Sequence, residues 1–338
     1  MSPSRPVPSP LRQDNLDIFR GLAALAVCFF HFTSRGFLPD GVGTRIFTHG
    51  YLGFDVFFVI SGFVIPLALH RAGYGIGDYG IFLRRRFFRL FPAYLVSGLL
   101  ALALWYASSL HPAFRGSRPY LTVVQGLGNL TLTADLLHTP WINPVYWTLA
   151  IELQYYLLIG LVFPWLVSAQ RGRRYAAMAL WLLAPWLGPL PATVWTYAAL
   201  FGMGVFAFMQ ANRLITMRTC AGLLMVAAVV HGVRSDWLSS GAGLVTALAI
   251  LLLPPITARP LLFLGTISYS LYLIHVPFGG KLINLARRLP DSPALRVLLL
   301  LLVTVTTIAT AWAFYLLIER PCHEFSRSAR FARPRKTE

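Results

Sequence analysis

An all-α, polytopic bundle of membrane helices is the fold class this sequence predicts, on three observations. First, 57% of its 338 residues are hydrophobic and only 12% charged, whereas a soluble domain carries about 25% charged residues. Second, the apolar residues arrive in runs of about 18–24, the length that crosses a bilayer, and mean hydropathy is +0.63. Third, the basic residues gather between these runs on one side of the alternation. Composition therefore excludes an ordinary soluble enzyme and a disordered scaffold. A net charge of +17 is compatible with nucleic-acid binding in general, but here long apolar runs separate the basic residues, so no nucleic-acid partner is expected. Cys28, Cys220 and Cys322 are far apart with no CxxC pair, which argues against a disulfide framework and against a metal site.

Along the chain, residues 1–15 are rich in Pro and Ser and read as a flexible cytoplasmic tail. The first apolar run lacks an A-x-A cleavage site and is followed by many others, so it is not a signal peptide. Ten spans are expected, near 17–36, 51–70, 87–109, 145–168, 174–190, 192–210, 217–233, 238–255, 261–280 and 295–318. Only the proline-rich stretch 185–191 separates the fifth from the sixth. A membrane domain over 16–322 and a basic cytoplasmic tail over 323–338 complete the organisation, with no internal repeat and no fused soluble domain. With the N-terminus inside, 20 of the 29 Lys and Arg residues fall on the cytoplasmic side, as the positive-inside rule requires. Ten spans then place both termini in the cytoplasm.

A charge at mid-bilayer costs about 2.5–3.5 kcal/mol on insertion scales, so each one retained is a candidate functional residue. Asp55, Glu152, His31 and His275 lie within apolar runs, while Arg20, Arg86, Arg89 and Glu319 lie near inner ends. Counting a rise of about 1.5 Å per residue from the expected span edges puts the first four at one level in the outer half of the membrane. Arg20 and His31 are eleven residues apart, which places them on one helix face and roughly 16 Å apart along the axis. A ligand with an anion at Arg20 and a reactive end at His31 has the shape of coenzyme A, a phosphorylated nucleotide with an extended arm ending in a thioester. Arg86 and Arg89 share a face, and paired guanidinium forks suit phosphates. Each reading has a plainer rival. His31 and His275 serve equally as packing residues, and the Arg84–Arg89 run equally as a topological anchor. For Glu152, nothing in its own span neutralises the charge.

The same residues resemble a known pattern. Leu16-Asp17-Ile18-Phe19-Arg20, ending at His31, is similar to the opening of the acyltransferase-3 family of integral-membrane O-acyltransferases, whose signature is Arg or Lys, ten residues, then His. Residues 53–63 (GFDVFFVISGF) resemble that family's second-helix motif, Arg86–Arg89 its RxxR motif, and residues 147–156 (WTLAIELQYY) its W-S-L-x-x-E-E-Q-F-Y segment. Leu153 stands where the family's second Glu would be. Residues 268–277 and Glu319-Arg320-Pro321 match the family's last two helices.

The resemblance implies transfer of an acyl group, by expectation acetyl, from acyl-CoA to a hydroxyl of a carbohydrate or glycolipid. The setting would be the inner, cytoplasmic membrane of a bacterium, with no permanently bound cofactor. His31 would act as general base or as transient acyl carrier, supported by Glu152 or Asp55. Arg20, Arg86 and Arg89 would hold the CoA phosphates, with Ser61, Trp147, Tyr155 and His275 around the substrate. Either the membrane domain completes the transfer alone or a separate periplasmic protein assists. The outer connection 110–146 would shape acceptor choice through Trp141 and Tyr120, although both also suit an interfacial aromatic anchor. The alternative is a non-enzymatic translocator of acyl groups, lipids or glycans, since intramembrane ionisable residues also mark transport paths.

Overall fold

The computed structural model describes residues 10–328, apart from 35, 113, 115, 118, 188–192 and 291. The tails expected at 1–9 and 329–338, and part of the break at 185–191, lie outside the described residues. Every regular element among the described residues is helical. In chain order these are α1 (Pro10–Thr33), α2 (Val42–Thr48), α3 (Gly53–Arg71), α4 (Tyr79–Ser109) and α5 (Val123–Leu130). They are followed by α6 (Tyr146–Leu166), α7 (Arg171–Leu183), α8 (Ala198–Ala211), α9 (Met217–Arg234) and α10 (Trp237–Leu252). The last five are α11 (Arg259–Thr266), α12 (Ser268–Ile274), α13 (Gly280–Ala286), α14 (Pro293–Phe314) and α15 (Arg320–Ser328). Two π-helical turns interrupt the series, His275–Gly279 between α12 and α13, and Tyr315–Glu319 between α14 and α15.

Among the described residues, six helical segments are long and apolar enough to cross a membrane, built on α1, α3, α4, α6, α9 and α14. A seventh arises if α11 and the run from α12 to α13, bent by 56°, count as one span. Helices α8 and α10 are apolar but shorter. The fourteen residues of α8 rise about 21 Å, less than the ~30 Å of a bilayer core. It is apolar on every side because it is enclosed, with each residue from Ala198 to Met209 buried. Helix α1 starts at Pro10, inside the stretch expected to be a tail. There the Asn15 side chain donates to the Pro254 carbonyl (2.9 Å) and accepts from the Ile256 amide (2.7 Å), tying the segment after α10 to α1.

Local chemistry sets several boundaries. Thr122, Thr216 and Asp236 accept from free amides in the first turns of α5, α9 and α10. Small residues set the closest crossings, as is general where lipid competes with apolar packing. A Cβ on Gly21 would lie 2.6 Å from the Gly265 amide, so α1 and α11 meet backbone to backbone beside Arg20. Gly62 and Gly204 do the same for α3 and α8, beside Ser61. Two apolar cores result. One joins α3, α6, α7, α8, α9 and α10, and the other joins α1, α4, α12, α13 and α14.

Pro277 explains the break between α12 and α13. Having no amide hydrogen, it cannot bond the carbonyl four residues back, and its ring would clash with that carbonyl in an α-helix. That carbonyl is Leu273's, and it accepts instead from Asn143 Nδ2 at 2.9 Å. Asn143 is 1% exposed, so the connection before α6 dips into the bundle. A buried carbonyl without a partner costs about 1–3 kcal/mol. Asn143→Ala is therefore expected to lower the midpoint of thermal unfolding of the detergent-solubilised protein. An unchanged midpoint would show that Leu273 is satisfied another way.

Candidate active site

Two cavities lie along α1, one at the level of Arg20 and one at the level of His31. The arginine cavity, about 270 Å³, lies between the two cores. Arg20 from α1, Ser61 from α3, Arg86 and Arg89 from α4, and Glu152 and Tyr156 from α6 line it, together with Ser268, Tyr269, Tyr272, Glu319 and His323. Arg86, Arg89 and His323 also line an adjoining cavity of about 480 Å³, so the arginines stand where two spaces meet. Glu152 Oε1 accepts from Ser61 Oγ at 2.9 Å and from the Tyr156 hydroxyl. The Arg86 guanidinium packs on the Phe82 and Tyr156 rings, 5.7 and 5.5 Å from their centroids. Arg20 lies 3.7 Å from Asp17, one turn back. Glu319 closes the site from the second π turn, accepting from the Ser270 hydroxyl (2.6 Å) and amide (3.2 Å). That amide is in the first turn of α12, where no intrahelical acceptor exists.

The histidine cavity is larger, about 580 Å³, and is lined by His31 and Ser34, by Trp105 and Trp141, and by Asn143, Lys281, Asn284 and Arg287 among others. The His31 ring lies 5.2 Å from the His275 ring, centroid to centroid. His275 is fully buried, and its Nδ1 faces two carbonyls, Tyr272 at 2.7 Å and Leu271 at 3.2 Å. A carbonyl only accepts, so Nδ1 carries the hydrogen and Nε2 is left with a lone pair. That Nε2 has no hydrogen-bond partner among the described residues. Tyr272 lines the arginine cavity, where its hydroxyl lies 2.7 Å from Thr148 Oγ1, and its carbonyl faces His275, which lines neither cavity but stands beside His31.

The structure thus brings together Arg20, Arg86, Arg89, Glu152 and Ser61 in one cavity, and sets His31 beside His275 at the other. The single level expected for His31, His275, Glu152 and Asp55 is not found. Glu152 lines the arginine cavity with Arg20, Arg86 and Arg89, nine residues along the chain from the buried Asn143 that lines the other. Asp55 is buried in α3 beside Ser239 of α10 and lines neither cavity. Tyr155 is in the core, stacked on Phe201 at 4.1 Å. Trp147 packs edge-on against Phe54 (5.0 Å) and beside Tyr197, behind the cavity wall. Trp141 lines the histidine cavity, whereas Tyr120 is 77% exposed and does not. Tyr156, Tyr272, Lys281 and Arg287 were not singled out in the sequence, and Glu319 only by its place near an inner end. For Glu319 the Glu-Arg-Pro match was the available signal. For Tyr156 the signal was its place one turn from Glu152, and Tyr272 lay inside the matched segment 268–277, whereas Lys281 and Arg287 follow the helix break at Pro277, which periodicity does not show.

Removing the Glu152 carboxylate leaves two hydroxyls without their acceptor at a part-buried site. Glu152→Ala is expected to lower thermal stability by about 1–3 kcal/mol, while Glu152→Gln, which keeps an acceptor oxygen, stays closer to the parent. Equal losses in the two variants, measured by thermal unfolding, would deny the carboxylate its role in holding Ser61 and Tyr156.

The model of the acyltransferase-3 family, described as an acyltransferase domain, matches residues 13–316. The O-acetyltransferase OatA of Staphylococcus aureus is 25% identical over 319 residues, covering 80% of this chain and 51% of that protein. The acyltransferase MdmB of Streptomyces mycarofaciens is 31% identical over 162 residues, covering 46% and 40%. The chain thus spans about half the length of the curated relatives it matches first. No solved structure matches. With nearly all of its helical bundle inside the match, the chain belongs to the acyltransferase-3 family of acyltransferase domains.

Proposed function

We propose that this chain is a membrane-bound O-acyltransferase that moves an acyl group, acetyl in the simplest case, from acyl-CoA to a hydroxyl of a carbohydrate or glycolipid. The observation that carries the reading is the division of labour along α1. Arg20 lines one cavity and His31 the other, about 16 Å apart on the axis. Arg20, Arg86 and Arg89 hold the phosphates of the donor, and its pantetheine arm runs along α1 toward His31. Family membership and the relatives named for O-acetyl and acyl transfer support the chemistry. The ten-span topology with both termini in the cytoplasm belongs to this proposal. On that topology the arginine cavity faces the cytoplasmic pool of donor.

His31 takes the proton of the acceptor hydroxyl as its oxygen attacks the thioester carbonyl. A carbon–oxygen bond forms, the carbon–sulfur bond breaks, and the thiolate leaves to be protonated as free CoA. Two adjacent histidines suit this step. The His275 ring, 5.2 Å from that of His31 and with an unpartnered Nε2 lone pair, would fix the His31 tautomer by accepting its N–H when the two rings close on substrate. His275 acts here as a positioning residue. Glu152 and Ser61 act on the donor side, where the carboxylate offsets the arginine charges. Asp55, buried in α3 with neither carboxylate oxygen hydrogen-bonded among the described residues and lining neither cavity, is given no step in this reading.

The test uses a deletion strain complemented with the parent chain or with His31→Ala at matched abundance, with mass spectrometry of the envelope glycans. A positioned general base contributes about 10²–10⁴-fold, so His31→Ala is expected to abolish a base-labile ester that the parent restores. Equal restoration by both would overturn the role of His31. Transport of a substrate with no new ester bond would favour the translocator.

A further inference from the structure

The arginine cavity, about 270 Å³, is smaller than the roughly 300–1,000 Å³ of sites that hold ligands of drug size. The cavity that adjoins it is about 480 Å³. Arg86, Arg89 and His323 line both spaces, whereas Arg85 and Ser326 line only the second. Neither Arg86 nor Arg89 makes a hydrogen bond or an ion pair among the described residues. Both therefore keep their N–H donors for a ligand that lies across the junction.

Helix α15 builds one side of the second space. Pro321 has no amide hydrogen and cannot bond the Leu317 carbonyl four residues back, and the π turn Tyr315–Glu319 lies just ahead of it. Beyond the turn α15 runs against α4, with the Phe325 ring 5.1 Å from that of Phe88. Glu319, His323 and Ser326 follow one another at spacings of four and three, which puts them on one helix face. Glu319 lines the arginine cavity, His323 both cavities and Ser326 the second alone. That face is a continuous wall from one space into the next.

The second space also offers two kinds of surface. Arg85, Arg86 and Arg89 supply guanidinium forks from α4, and the end of α3, with Ala68 and Leu69, supplies an apolar wall. Forks suit phosphates, and an apolar wall suits the face of a base. We propose that this second cavity holds the 3′-phosphorylated adenosine of the donor, with the diphosphate at Arg86 and Arg89 and the 3′-phosphate at Arg85. The proposal rests on the acyl-CoA reading and deepens it, since the arginine cavity then receives the diphosphate and the start of the pantetheine arm. A donor without the 3′-phosphate forgoes the Arg85 contact and keeps the others. Arg85 is thus the residue that distinguishes CoA from dephospho-CoA.

The test is isothermal titration calorimetry of the full chain in phosphatidylcholine nanodiscs, with CoA and dephospho-CoA as probes. CoA is expected to bind at least about tenfold more tightly, as one charge-assisted contact would give. Arg85→Gln should bring the affinity for CoA down to that for dephospho-CoA. Arg85→Lys should keep a preference for CoA, with thermal unfolding unchanged in both variants. Equal affinities of the parent chain for the two nucleotides, or a preference that survives Arg85→Gln, would overturn the proposal.

Two further outcomes separate this proposal from its neighbours. Binding of neither nucleotide would overturn the acyl-CoA reading together with it, whereas equal binding of both keeps that reading and removes only the placement at Arg85. The titration is repeated with part of the lipid replaced by phosphatidylglycerol. A CoA preference that persists supports the nucleotide site. One that disappears assigns Arg85 to an anionic lipid headgroup and overturns the proposal.

Discussion

Arg20, Arg86 and Arg89 share a cavity with Asp17, Glu152 and Glu319, and holding six ionisable groups among apolar helices dictates what the surrounding elements must supply. An unpaired ion removed from water costs several kcal/mol even after relaxation. The bundle meets that cost locally. Asp17 stands one turn from Arg20, Ser61 and Tyr156 donate to Glu152, aromatic faces receive Arg86, and the start of α12 receives Glu319. Some of these contacts lie within one helix, whereas Ser61–Glu152, Arg86–Tyr156 and Ser270–Glu319 cross between elements. Those three tie α6 to α3 and α4, and α12 to the second π turn, with a directionality that apolar packing lacks.

Helix breaks are the second part of the design, and both π turns fall at titratable residues beside the two sites. π turns are rare and occur often at functional sites. One begins at His275 and contains Pro277, the other ends at Glu319. The first frees the Leu273 carbonyl, which Asn143 recovers, and sets the His275 ring beside His31. The second presents Glu319 to Ser270. Broken helices inside a membrane are tolerated only where the liberated backbone groups find partners. Here the partners are the side chains that build the two cavities, so the same irregularities that shape the sites also hold them.

Much of this was legible from residue types and spacing. The helical class follows from composition and run length, and the Arg20–His31 spacing put those residues on one helix face, roughly 16 Å apart. Arg86 and Arg89 were found from their i, i+3 pairing. What could not be read was the vertical register of one helix against another. Depths counted from apolar run edges assumed that each helix starts at the membrane surface, whereas Glu152 shares its cavity with the arginines and not with His31. Trp147 and Tyr155 look like cavity walls in a motif, yet their rings face Phe54 and Phe201. Lys281 and Arg287 carry no local signature, because their place beside His31 depends on the bend at Pro277.

The central claim is that the two cavities open on opposite sides of the membrane, so that donor and acceptor approach α1 from different ends. Side-specific labelling tests it most directly. Arg84 and Asn284 are both exposed, near the arginine and histidine cavities respectively. In a background without Cys28, Cys220 and Cys322, Arg84→Cys and Asn284→Cys are introduced singly and treated with an impermeant maleimide. The account predicts that intact spheroplasts label only Asn284→Cys, and inverted vesicles only Arg84→Cys. Labelling of both from the same side would contradict it.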